Sequence, residues 1–514
     1  MSTRRRSSWN RVAAVKPAPG RQALPAALGV GMTYAPRLDA VIEAATGLLD
    51  LLEVEPQTLW RRHEGDTERY VVDSVLMGRV AALPCRKVLH GVGFPVGSVR
   101  PPSAAQIPPL LATIDALAPT WMSEHLAFNR MAEGGRLIDT GFLLPPRQTD
   151  AGVAGAVTAI RSVADCLPIP FAVENGISYL APRTDEMADG AYVAAVIEGA
   201  DCGLVLDLHN AWANHRNGRQ RIEEFLAEIP LERVWELHFA GGMEYRGYWL
   251  DAHSGAISEP VIDVAREIIP RLPQLKALIF EMTPSFLDLV DESTIIRQLE
   301  ILHELWGLRP PEAPRMSIGS LRRTWPGDAA GAPTPPQWED TLGALVIDRC
   351  TSGVLAQEIA ADPGLQIFRH LVAEFRASTM IGTLPFSGRL LLSSLGTERL
   401  EQMLADFWRI APPEAFGSRE ARAFARYLAT MDLGIPLLDE LLAYDLAVVA
   451  ALTENASQQV RFRHDPRLVL GCIADHRMPD NLPDGDFVAD ITPDGITFRP
   501  AGAVATATSI ALRV

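Results

Sequence analysis

The chain has 514 residues, too many for one ordinary core, so two or three domains are expected. Hydrophobic residues make up 48% and charged residues 21%, the balance of a soluble globular protein. A formal net charge of −16 argues against a nucleic-acid partner, which wants clustered Lys and Arg, and no apolar run approaches the roughly 20 residues of a membrane span.

Residues 1–26 carry Arg4-Arg5-Arg6 without a following apolar stretch, so they read as a disordered basic tail rather than an export signal. From 27 to 308, short apolar runs alternate with amphipathic stretches. The runs fall at 27–34, 49–54, 86–90, 120–125, 170–174, 203–207, 233–238 and 277–281, each rich in Val, Ile, Leu or Phe like a strand buried on both faces. Stretches such as 105–117, 187–200 and 291–306 repeat apolar residues at helical spacing. Eight strand–helix repeats in about 280 residues predict an α/β fold, a (β/α)₈ TIM barrel. Residues 309–337 are rich in Pro and Gly and read as a linker. Beyond them, 338–514 reads as a smaller, mainly helical domain, with helical patterns at 338–347, 365–378, 398–410, 419–431 and 435–452. A short β element is expected at 459–464 and 487–500, turning at Pro493-Asp494-Gly495. Five cysteines stand far apart with no CxxC pair, as reduced thiols of a cytoplasmic protein would.

The chemistry lies in how the apolar runs end. Runs three to eight finish on His90, His125, Glu174, Asp207, His238 and Glu281, and the C-terminal strand ends of a barrel share one mouth. The stretch 251-DAHS-254 adds Asp251 and His253. Four carboxylates facing one another would not all stay ionised without counter-charge, which two or more metal cations would supply. Mixed imidazole and carboxylate donors suit iron, manganese or zinc better than calcium or magnesium. Glu174 and Asp207, near the middle of the set, are the candidates to bridge two ions. After Asp207, either His209 or Asn210 turns inward: strict alternation favours His209, loop curvature favours Asn210. Glu55 either lines the mouth or caps the next turn, and Glu124, beside His125, faces away from the mouth or supports it from behind. His63, His215, His303, His370, His464 and His476 have no such placement and read as ordinary residues.

In type and order, 90-HGVGFPVGS-98, 123-SEHLAF-128, 174-ENG-176, 206-LDLHN-210, 236-ELHFAGG-242, 251-DAHS-254 and Glu281 resemble the multinuclear non-heme iron-dependent oxidative enzymes, the family that includes the iron subunit of methanobactin synthase. The resemblance covers roughly residues 27–308. It implies two or three irons, mixed-valent Fe(II)/Fe(III), held by His90, His125, Glu174, Asp207, His238, Asp251, His253 and Glu281. Asp207, His209 and Asn210 then stand as the catalytic group. It also implies O₂ as co-substrate and oxidation at a Cys, Asn or Asp residue of a ribosomally made precursor peptide. Relatives often carry D-x-N-N or D-x-x-H where this chain has Asp207-Leu208-His209-Asn210, which leaves a third ion open. The C-terminal region, through 440-ELLAYDLAVVAAL-452 and 460-VRFRHDPRLVL-470, resembles the separate partner that recruits the peptide to such enzymes, here joined in cis. Two rival readings stand beside this one. A divalent-metal TIM-barrel isomerase or hydrolase would ring its mouth with the same residue types, and a non-catalytic metal-stabilised peptide-binding scaffold would close its coordination sites.

Overall fold

Short runs of branched and aromatic residues, buried on both faces, build the central element of the fold. The computed structural model describes residues 24–62, 70–311 and 331–502. Most of the N-terminal tail, His63 and the middle of the expected linker lie outside these. Eight strands form where expected: β1 (Gly29–Thr33), β2 (Leu51–Val54), β3 (Arg86–Gly91), β4 (Met122–His125), β5 (Phe171–Glu174), β6 (Gly203–Asp207), β7 (Val234–Ala240) and β8 (Ala277–Glu281). Each pairs in parallel with its sequence neighbours, and β8 closes on β1. This is a (β/α)₈ barrel.

Alternation along each strand sorts the side chains. Outward residues such as Leu52, Leu89, Val173, Leu206 and Leu237 pack against the surrounding helices in one large core. Inward residues Leu51, Val88, Trp121, Ala172, Val205, Ala277 and Ile279 fill the barrel floor. Two residues further along their strands, the same inward face turns polar: Glu53, His90, Ser123, Glu174, Asp207 and Glu281.

Three connections that leave the C-terminal ends of barrel strands carry antiparallel strand pairs that the sequence reading passed over: Trp60–Arg62 with Tyr70–Val72, Phe128–Glu133 with Arg136–Leu144 and Met243–Tyr245 with Tyr248–Leu250. The C-terminal region is mainly helical. Its expected helices appear as Pro335–Val346, Gly364–Thr383, Thr397–Ile410, Gly417–Leu428 and Leu438–Glu454, and three more form at Val354–Ala361, Pro385–Leu395 and Pro466–Ala474. The Pro335–Val346 helix starts inside the segment expected to be linker. Pro335 at its first position costs no hydrogen bond, and Thr334 and Gln337 form a capping box. Strands β9 (Gln458–Phe462), β10 (Phe487–Thr492) and β11 (Gly495–Pro500) make a small antiparallel sheet. No helix among the described residues is long and apolar enough to cross a membrane.

Candidate metal centre

The polar tier of the barrel wall converges on Glu174. Its Oε2 lies 3.2 Å from His90 Nε2 and 3.0 Å from His125 Nε2, and its Oε1 lies 3.5 Å from His238 Nδ1. From His238 the cluster continues: Nδ1 is 3.3 Å from Glu281 Oε1, Glu281 Oε2 is 3.5 Å from His253 Nε2, and His253 Nε2 is 3.0 Å from Asp251 Oδ1. Asp207 stands with Glu174, His238 and Glu281 in one group whose donor atoms lie within 4.8 Å of each other. All eight residues expected as ligands therefore meet at the barrel mouth. Of the two candidates to bridge ions, Glu174 is the one that touches three imidazoles.

Backbone and side-chain acceptors aim the rings. His90 Nδ1 bonds Ser123 Oγ at 2.8 Å, and His125 Nδ1 donates to the Gly91 carbonyl at 2.9 Å, so both present Nε2 to Glu174. Asn175 clamps β5 to β6 by accepting from Asp207 N–H at 2.9 Å and donating to the Asp207 carbonyl at 3.1 Å. Asp207 Oδ1 in turn accepts the N–H of Asn210 at 2.6 Å, capping the Leu208–Arg216 helix. His253 sits at a φ of 49°, a left-handed conformation that His tolerates better than most residues. The Tyr179 hydroxyl holds the neighbouring loop by accepting Asp251 N–H at 3.2 Å.

Several buried atoms of the cluster have no hydrogen-bond partner among the described residues: Glu174 Oε2, Asp207 Oδ2, His238 Nδ1, Asp251 Oδ1 and Glu281 Oε2. Buried polar atoms left this way cost free energy, on the order of 1–3 kcal/mol each, unless something else binds them. The protonation equilibria carry the same strain. Burial alone would strip the proton from His90, but Glu53 and Glu174 hold it, pushing the imidazole up to about 10. Burial likewise opposes charge on His238, yet Glu281 and Glu53 raise it well above the usual histidine range. Asp207 is driven well above the carboxylate range by burial and by Glu174, Asp251 and Glu281. Glu281 resists burial through His238 and His253 and falls to about 2. Without metal, protons must supply the positive charge that the carboxylates demand.

The structure resolves the three open positions. Asn210 lines a cavity of about 110 Å³ beside the cluster, whose wall also includes Leu126, Phe142, Pro146, Ile177 and Val193. His209 is also buried, with its ring near Trp249 and its Nε2 3.8 Å from Asp251 Oδ1 of the cluster, so both residues border the centre. Glu55 is half-buried and makes no capping bond to the turn after β2; desolvation raises its carboxyl against the pull of His90, so it borders the mouth. Glu124 faces outward, 3.9 Å from His125 Nδ1, and its carboxylate occupies the space that a side chain at Gly91 would need.

Two carboxylates on the inner wall were missed at the sequence level. Glu53 lies 3.1 Å from His238 Nε2, and Glu236 Oε2 accepts the Trp121 indole N–H at 2.9 Å. Counting pleats back from the strand ends would have found both, since each sits an even number of residues from an inward-facing neighbour. His303 bonds the Leu48 carbonyl and His370 stacks on Tyr245.

The chain is similar to several known proteins. A UPF0276 protein of Streptomyces avermitilis is 28% identical over 48% of this chain and 49% of its own length, so the chain spans about half of that relative. A UPF0276 protein of an Anaeromyxobacter species is 31% identical over 41% of this chain and 75% of its own length. Among solved structures, D-psicose 3-epimerase from Clostridium cellulolyticum superposes with a TM-score of 0.35 at 11% identity, over 55% of this chain and 99% of the epimerase. The barrel itself, residues 29–300 and more than half of the chain, matches the RiPP precursor modification enzymes MbnB/TglH/ChrH, and the chain belongs to that family.

Proposed function

We propose that this chain oxidises a ribosomally made precursor peptide at a side-chain or backbone C–H of a Cys, Asn or Asp residue, using O₂ and two or three iron ions. The observation that carries the reading is the cluster around Glu174, in which buried imidazole and carboxylate atoms face one another without hydrogen-bond partners. That donor set fits iron: nitrogen and oxygen ligands, no thiolate, and enough negative charge to hold more than one cation. His90, His125, Glu174, Asp207, His238, Asp251, His253 and Glu281 would hold the ions. Bound iron would supply the redox equivalents that let O₂ oxidise a C–H bond.

The chain's own groups do the rest. Ser123 and the Gly91 carbonyl keep His90 and His125 in one tautomer and one orientation. Leu126, Phe142, Pro146, Ile177 and Val193 would give one side of the centre an apolar wall, and the Asn210 carboxamide oxygen, without a partner among the described residues, would accept an N–H from the bound peptide residue. Residues 338–514 would then recruit the peptide, a role supported by their packing over the loops at the barrel mouth.

Metal analysis and Mössbauer spectroscopy on the full chain, expressed with ample iron and purified without oxygen, test the reading. Two to three irons per chain, with coupled or mixed-valent signals lost in His238→Ala and Glu281→Ala, are expected. A single zinc or manganese and no iron would refute it.

A further inference from the structure

Beneath the cluster, the inner wall carries a second acidic tier that the proposed ligand set does not use. Glu53 comes from β2 and Glu236 from β7, and both side chains are fully buried. The ring of His238 stands between the tiers. Its Nδ1 points up, 3.3 Å from Glu281 and 3.5 Å from Glu174, with no hydrogen-bond partner among the described residues. Its Nε2 points down and is hydrogen-bonded to Glu53 Oε2 at 3.1 Å, with Glu236 Oε1 further off at 3.9 Å. An imidazole that ligates a cation does so through an unprotonated nitrogen, so its other nitrogen bears hydrogen and needs an acceptor.

We propose that Glu53 is the positioning residue of His238: it accepts the Nε2–H, fixes that tautomer and turns Nδ1 toward Glu174 and Glu281. The inference rests on the metal centre proposed above. The other two ring-aiming contacts follow the same logic with neutral acceptors, Ser123 Oγ for His90 and the Gly91 carbonyl for His125. Of these three rings, His238 is the one whose backing nitrogen hydrogen-bonds a carboxylate among the described residues, Glu124 standing 3.9 Å from His125 Nδ1. Glu236 stays in reserve because its Oε2 is already held by Trp121. Glu53 also groups with His90 and His238, donor atoms within 4.8 Å of one another, so a ligand role for Glu53 is the alternative that the test must separate.

The test uses the metal-free full chain, its Glu53→Gln and Glu53→Leu variants, Fe(II) titrated anaerobically against a chromophoric chelator, and Co(II) as a spectroscopic probe. Glutamine keeps an acceptor for Nε2–H and should hold Fe(II) within about threefold of wild type, with an unchanged Co(II) visible spectrum. Leucine removes the acceptor at similar volume and should weaken Fe(II) binding on the order of 10–100-fold and shift the Co(II) bands. Wild-type affinity and spectrum in Glu53→Leu would overturn the proposal. So would a comparable loss in Glu53→Gln, which would make Glu53 a ligand, and this arm decides the matter even if Glu53→Leu does not fold. Failure of the wild-type chain to bind metal would sink the proposed function as well, whereas metal binding indifferent to residue 53 sinks this inference alone.

Discussion

Asp207 illustrates how one residue serves the local fold and the site together. Its Oδ1 caps a helix through Asn210 N–H, and its Oδ2 is left facing the cluster. A buried carboxylate far from the mouth shows the opposite economy. Asp445 accepts both the N–H and the hydroxyl of Ser387, and burial lifts its carboxyl to about 6 against those bonds. The sign follows directly. A carboxyl whose folded value lies above its ordinary 3.8 stabilises the fold while protonated, fully below about pH 4, and that contribution drains away as pH rises through about 6. The ceiling is about 3 kcal/mol. In Asp445→Asn, urea denaturation at pH 4, 6 and 8 should lose this pH dependence, so that wild type weakens relative to the variant between pH 4 and 6. Parallel profiles would show that Asp445 titrates normally. At this scale the sequence was legible wherever a residue ended a strand, because a barrel sends all those ends to one place. Glu53 and Glu236 were not legible that way: they sit inside the strands, and only the pleat, not the terminus, marks their direction.

The loop from His90 to Ser98 explains why its motif is written with glycines. Val96 N–H donates to the His125 carbonyl at 2.9 Å and Gly97 N–H to the Ala127 carbonyl at 2.8 Å, so the loop lies flat along the end of β4. A Cβ at Gly97 would come within 2.7 Å of Ala127 N and 2.8 Å of its carbonyl oxygen. Backbone cannot step aside as a side chain can. Gly97→Ala should therefore push the loop off β4, lowering stability by about 1–3 kcal/mol, and should reduce iron occupancy because His90 and His125 shift together. Thermal melting with metal analysis checks both, and unchanged occupancy would detach this loop from the centre. The eight barrel strands were readable because each is a short, doubly buried apolar run. The helices Val354–Ala361 and Pro385–Leu395 were not: the first has only eight residues, and the second opens on Pro385 and carries Gly388 with three serines, which weaken the helical signal. Pro466–Ala474 did carry a start signal, Asp465 before Pro466, and Asp465 indeed accepts from Arg467 N–H.

On the scale of the molecule, the barrel and the C-terminal region share a core. Phe128, Met131, Leu144, Tyr179 and Leu250 come from loops at the barrel mouth, and they are buried against Trp338, Leu342, Leu365, Phe368 and Val372. Trp338 donates its indole N–H to the Pro145 carbonyl at 2.9 Å, and Glu339 is bound by Ser98 Oγ and Val99 N–H at the far end of the His90 loop. Tyr179 links the two parts most directly, since its ring packs on Phe368 at 5.1 Å while its hydroxyl accepts from Asp251 N–H. Apolar burial of this kind stabilises by roughly 1.5–3 kcal/mol for each large side chain taken from water, and removing one side exposes the other. A chain ending at residue 311 should therefore aggregate or melt without cooperativity, and should hold iron poorly because the Asp251 loop loses its brace. Co-expression of 331–514 as a separate chain should restore a soluble pair that binds iron, since the shared core needs proximity rather than a covalent joint. If the 1–311 chain alone proved monomeric, cooperatively folded and fully iron-loaded, the C-terminal region would have no part in building the centre, and its packing over the mouth would serve peptide recruitment alone.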